Sequence, residues 1–88
     1  MNDPALIRYS HTSQLVTMPG SVESNCNDIT FINIGTDIVT VLGYPLQPSY
    51  QLYLPGNVGE LNVTNYTVNF AYGAGTSQQL LVIRKVYS

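Results

Sequence analysis

The sequence predicts an all-β chain: a single small antiparallel β-sandwich or barrel of about six to eight strands. Three observations predict it. Helical periodicity is absent along the chain, whereas alternation with a period of two recurs. The alternating runs are rich in β-branched and aromatic residues. They are bounded by Pro-Gly and Gly-Thr pairs, residues that supply the special backbone angles of turns.

Taken in order, Gln14 to Met18 reads as a short strand closed by Pro19-Gly20. Asp28 to Ile34 (DITFINI) places Ile29 and Phe31 on one face and Thr30, Ile32 and Ile34 on the other. Apolar groups pointing both ways mark a central strand between two layers, or one whose outer face meets another subunit. Gly35-Thr36-Asp37 reads as a tight hairpin turn into Ile38 to Gly43 (IVTVLG). Pro45 and Pro48 then interrupt the pattern, because proline cannot donate to a ladder and is confined to edges and loops. Tyr50 to Leu54 (YQLYL) resumes the alternation, and Pro55-Gly56 ends it. Leu61 to Val63 is a short stretch beyond a loop containing Gly59. Tyr66 to Tyr72 (YTVNFAY) alternates cleanly, with Tyr66, Val68, Phe70 and Tyr72 inward. Gly73-Ala74-Gly75-Thr76 is a turn, and Gln79 to Tyr87 is the longest strand.

The two Pro-Gly turns align as a weak internal repeat, each followed by a polar loop, an aromatic strand, a Gly-Thr turn and an apolar strand. Two readings follow. The chain is two similar three-stranded meanders, or its turns reuse the same residue pairs as those of any β protein. The expected organisation is an N-terminal arm over residues 1–12 and one β-sandwich domain over 13–88.

Eighty-eight residues leave room for one core, and a chain this short buries a modest share of its surface. Cys26 is the single cysteine, so neither an intrachain disulfide nor a cysteine pair for a metal is available. Oligomerisation is the usual remaining staple for a small scaffold. Charged residues make up 9% of the chain against roughly a quarter in an average domain. That deficit, filled by Asn, Gln, Ser, Thr and seven tyrosines, leaves a surface poorly protected against association. No Lys or Arg lies between Arg8 and Arg84, which argues against nucleic acid and an anionic membrane surface as partners. No run approaches the roughly 18 apolar residues of a membrane span. Residues 1–14 hold Asp3, Arg8 and His11 without an apolar core region, so no secretory signal is expected and cytoplasmic synthesis is.

Chemistry-bearing residues are sparse. Ser10 or Ser13 with His11 and a carboxylate is a triad only on paper, because no Gly-x-Ser-x-Gly elbow surrounds either serine. Asp28 and Asp37 are explained by strand-start and turn preferences rather than as a glycosidase pair. The ESNCND segment, Glu23 to Asp28, lacks the spacing of a calcium loop and reads as a polar loop. The Asn62 and Asn65 sequons read as loop and strand-entry residues, and no phosphate-binding glycine loop is present. No catalytic residue, cofactor or metal is therefore expected. The positive cue is tyrosine, a stiff amphipathic side chain enriched at interfaces. Tyr44, Tyr50, Tyr53, Tyr72 and Tyr87 are the candidate interface residues, with Tyr66 counted among the tyrosines shared between core and interface.

From Phe31 to Phe70 the chain shows a strand followed by Asn-x-Gly-Thr, a Val-x-Val-x-Gly strand and a Pro-centred loop, then a Gly-Asn-x-Gly-Glu turn and a Tyr-x-Val-x-Phe strand. This run, a little under half the chain, resembles small β-sandwich structural proteins of tailed bacteriophage virions. The resemblance implies a non-enzymatic capsid auxiliary or decoration subunit, fibre adaptor or tail connector, located in the virion. Its partners would be other virion proteins and further copies of itself. A carbohydrate- or surface-binding module, with tyrosines stacked on sugar rings, is the alternative expectation.

Overall fold

The computed structural model describes residues 8–71 and 77–87. They form eight strands and, among the described residues, no helix: β1 (Tyr9–Val16), β2 (Gly20–Glu23), β3 (Asp28–Asn33), β4 (Val39–Val41), β5 (Tyr44–Leu46), β6 (Gln51–Leu54), β7 (Asn65–Phe70) and β8 (Leu80–Tyr87). The strands make two four-stranded antiparallel sheets, the first in the order β1-β8-β3-β6 and the second in the order β2-β7-β4-β5. The predicted small β-sandwich is thus the observed architecture.

The pairings β1·β8, β2·β7, β3·β6 and β4·β5 nest one inside another along the chain. Laid out flat they would be one long hairpin. Wound around the core, with β3·β8 and β4·β7 joining successive turns of the winding, they give the strand order of a jelly roll.

Alternation decides what the two sheets bury. Ile29 and Phe31 of β3, Leu80 and Val82 of β8, Val39 and Val41 of β4, and Val68 of β7 are fully excluded from solvent. Tyr66, Phe70, Val22, Leu46 and the fully buried Cys26 complete the core, and the Phe31 and Tyr66 rings meet edge to face at 5.0 Å. Each such side chain contributes on the order of 1.5–3 kcal/mol by leaving water.

The two-meander layout does not occur. Every strand of the first half pairs with one from the second half, because every connection between described strands except the β4–β5 hairpin crosses from one sheet to the other. For the same reason Gly35-Thr36-Asp37 is not a hairpin turn: β3 and β4 lie in different sheets. The fully buried Asn33 holds this crossing, its amide donating to the carbonyls of Asp37 (2.7 Å) and Leu46 (2.9 Å) while its Oδ1 accepts from Gly35 N–H (3.0 Å). Gly35 is required there, since a Cβ would run into the backbone of Ser77 and Gln79.

Strand β1 begins at Tyr9, inside the stretch expected to be an N-terminal arm, because residues 9–16 pair in unbroken register with β8. Strands β2 and β5 are not predicted by the alternation. Pro45 does sit on an edge strand, as its missing N–H requires. The ESNCND segment is no solvated loop: Ser24, Cys26, Asn27 and Asp28 are all buried. Ser24 donates to the carbonyls of Asn62 (2.6 Å) and Thr64 (2.8 Å). Asn27 donates to the Glu60 carbonyl (2.6 Å) and accepts from Tyr87 N–H (2.8 Å). Tyr72 and the Gly73–Thr76 turn lie outside the described residues.

Candidate functional site

Two sheet faces point away from the core, and their compositions differ. The second sheet presents Ser21, Glu23, Thr40, Asn65, Thr67 and Asn69, a polar surface with a single charge. On the first sheet the register aligns side chains in rows across the strands. One row is Leu15, Leu81, Ile32 and Gln51; the next is Ser13, Ile83, Thr30 and Tyr53. Then come His11, Lys85 and Asp28, and finally Tyr9 with Tyr87. The result is an apolar band flanked on one side by aromatic and charged groups. Leu15 and Tyr53 are both more than half exposed, at 53% and 55%.

The polar flank is tied together. Gly56 N–H donates to Asp28 Oδ1 (2.6 Å) and the Tyr53 hydroxyl donates to Asp28 Oδ2 (3.2 Å). Gly56 is needed for this approach because a side chain there would collide with the Asn27 carbonyl. Desolvation against the sheet, followed by the hydrogen bond to Asp28, holds the Tyr53 phenol above its ordinary value. Lys85 Nζ lies 4.4 Å from the centre of the Tyr9 ring and 4.9 Å from that of Tyr87, a cation–π arrangement on two faces. Tyr9 also meets His11 and Tyr87 edge to face, at 5.6 and 6.0 Å. Between these groups is a shallow hollow of about 180 Å³ lined by His11, Asp28, Thr30, Tyr53, Ile83 and Lys85.

Of the candidate tyrosines, Tyr53 and Tyr87 share this face. Tyr50 is exposed just ahead of β6, its carbonyl accepting from Asn33 N–H (3.0 Å). Tyr44 is on β5, at the far edge of the second sheet. Tyr66 is a core residue, its hydroxyl accepting from Asn62 Nδ2 (2.8 Å). Sequence reasoning missed Tyr9, His11 and Lys85 as members of the face. Residues 9, 11, 13 and 15 alternate in phase with one another, but the predicted arm takes in residues 1–12 and the predicted strand starts only at Gln14, so the two halves of the run are split.

The adjacent Arg84 and Lys85 diverge, as alternation requires. Arg84 turns to the inner side beneath β1, donating to the Glu23 carbonyl (2.7 Å) and Gln14 Oε1 (2.8 Å). Among the described residues no three His, Cys, Asp or Glu side chains converge as a metal would require. No protein-family model matches the chain, and neither a curated protein nor a solved structure matches it.

Proposed function

We propose that this chain is a non-enzymatic structural subunit of a virion, of the capsid auxiliary, decoration, fibre or tail-adaptor kind. In this reading it assembles with copies of itself and with neighbouring virion proteins. The observation that carries the reading is the outer face of the first sheet, where the register lines up Leu15, which is exposed, with Ile32, Leu81 and Ile83, which are partly exposed, in one apolar band. An apolar band rimmed by Tyr and Lys is the anatomy of a surface that docks. Viral capsid domains are among the proteins built as jelly rolls, which supports the reading without carrying it, because fold alone does not assign function. The charged groups beside the band are engaged with their neighbours, Asp28 with Tyr53 and Gly56, Lys85 with two rings.

The hollow supports a second reading, a carbohydrate- or surface-binding module. Tyr53 at its wall and Tyr9 and Tyr87 beside Lys85 offer rings to stack on a sugar, and Asp28 and His11 offer polar atoms. Sedimentation equilibrium from micromolar to near-millimolar protein, run beside a glycan array, separates the two. Assembly predicts reversible self-association that Ile83→Glu weakens. A strict monomer that binds a glycan, and loses it in Tyr53→Ala, overturns assembly in favour of the second reading.

A further inference from the structure

The four edges of the two sheets are β1, β6, β2 and β5. Three of them are blunted. Strand β5 has three residues and contains Pro45; β2 has four and ends in Glu23; β6 has four. Strand β1 has eight, and YSHTSQLV contains neither proline nor glycine, nor any Lys, Arg, Asp or Glu. Short length, proline and charge are the devices that keep sheet edges from pairing, and β1 has none of them. Among the described residues no strand other than β8 pairs with it.

The hydrogen bonding shows which amides face the open side. Asn33 exchanges hydrogen bonds toward β6, its N–H with the Tyr50 carbonyl and its carbonyl with Ser49 N–H. The odd-numbered residues of β3 therefore bond toward β6 and the even-numbered ones toward β8. Through the register Asp28↔Lys85, the odd residues of β8 bond to β3 and the even ones to β1. Through Thr12↔Arg84, the even residues of β1 are used by β8. The amides of Tyr9, His11, Ser13 and Leu15 are left facing outward.

We infer that β1 pairs antiparallel with β1 of a second copy about a two-fold axis at Thr12, joining two first sheets into one continuous eight-stranded sheet. The inference rests on the self-assembly reading above and adds to it an edge contact, distinct from the face contact that Ile83→Glu tests. A dyad perpendicular to an antiparallel sheet keeps both outer faces on the same side, so odd residues oppose odd residues. Centring on Thr12 pairs Tyr9 with Leu15 and His11 with Ser13 of the second copy. That register uses every outward amide, each pair exchanging two N–H···O bonds. A centre at Ser13 would leave Tyr9 unpaired. The chosen register also sets two Tyr–Leu cross-strand pairs on the outer face and opposes no like charges. The second copy is favoured as occupant because β1 is its own complement in this register, and because the apolar bands of the two sheets then run on into one.

The test combines sedimentation with cysteine cross-linking. Thr12 faces its own copy across the dyad in a non-hydrogen-bonded pair, where Cα atoms stand about 4.5 Å apart, within disulfide reach. Thr12→Cys is expected to form a disulfide dimer on oxidation, while Ser10→Cys, whose opposite residue is Gln14, does not. Cys26 is fully buried and stays out of the exchange. Ser13→Pro deletes an outward N–H without touching the β8 ladder. It is expected to weaken association roughly a hundredfold, since the change occurs twice in a two-fold dimer, with the circular dichroism spectrum unchanged. If the wild type associates but Thr12→Cys gives no cross-link and Ser13→Pro associates normally, the edge pairing is wrong and assembly uses another surface. A wild type that stays monomeric at every concentration overturns both.

Discussion

Asn33 is expected to be worth more to the fold than any other asparagine in the chain. It closes β3 in the first sheet, and its side chain bonds to Leu46 of β5 in the second and to Asp37 ahead of β4. Truncation in Asn33→Ala strands two buried carbonyls. The third group, Gly35 N–H, retains a second acceptor in the Gln79 carbonyl at 3.2 Å, so its loss is partial. At about 1 kcal/mol for each bond lost, and somewhat more for a buried group left without a partner, the substitution costs about 3 kcal/mol. With an unfolding entropy of about 2.1 cal/mol/K per residue over 88 residues, that is a fall in melting temperature of roughly 16 °C. Asn69→Ala is the control. Its side chain is exposed on the outer face of β7, and the expected change is within about 3 °C. Thermal unfolding by circular dichroism at one fixed protein concentration measures both, because any self-association would make the midpoint depend on concentration. If Asn33→Ala melts within about 3 °C of the wild type, the sheet crossing does not depend on this side chain, and the structural account of the Asn-x-Gly-Thr motif fails.

Three further outcomes are expected. Gly56→Ala drives a methyl into the Asn27 carbonyl and costs roughly 1–3 kcal/mol in denaturant unfolding; in the folded variant, carbon-13 NMR of labelled tyrosine shows the Tyr53 phenol titrating nearer its ordinary value as Asp28 comes loose. Leu42 carries a φ of +48° beside Gly43 at +84° in the β4–β5 turn, a two-residue geometry that favours Asn-Gly; Leu42→Asn is therefore expected to raise stability by about 0.5–1 kcal/mol, read as a higher denaturant midpoint. Burial raises the Cys26 thiol above its ordinary pKa of 9.0, so a thiol reagent at pH 8 reacts with Cys26 only as fast as the chain unfolds. Because the folded state resists the thiolate, its stability is full well below the ordinary thiol pKa and declines as pH climbs toward the raised value, a slope that Cys26→Ala reduces in a denaturation series.

The fold class was legible because alternation is a local property. Residues 66, 68 and 70 are buried and residues 65, 67 and 69 exposed, as a period of two demands. Likewise DITFINI reads as a strand apolar on both faces, and β3 is a central strand with Ile29 and Phe31 in the core and Ile32 on the outer face. Strand partnership is not local. Nothing in Gly35-Thr36-Asp37 states that β4 will lie in the other sheet; that follows from Asn33, whose hydrogen-bond partner Leu46 is thirteen residues away. The short strands β2 and β5 were illegible because three or four residues cannot display a period, and Gly20 and Pro45 each argue locally against a strand. For the site, Tyr53 and Tyr87 were found through residue type. Tyr9, His11 and Lys85 join them only through a register spanning the whole chain, Tyr9↔Tyr87 and His11↔Lys85.

The low charge of the chain acquires a direction from this register. Polar, uncharged side chains concentrate on the outer face of the second sheet, which has Asn, Ser and Thr on three strands and one carboxylate. Such a face stays wetted without attracting charged partners. The opposite face alternates in the other sense, with leucine and isoleucine central and aromatics at its margin. A sandwich sealed for solitary life would put its few charges on the more apolar face to keep it apart from other molecules. Here Arg84 is drawn inward onto Glu23 and Gln14, and Lys85 is held between rings at the edge, so the centre of the apolar face carries no formal charge. That arrangement stabilises the chain little by itself. It fits the one-sided subunit proposed above, in which one face is turned to water and the other, together with the edge of β1 that no second described strand pairs with, would meet a partner.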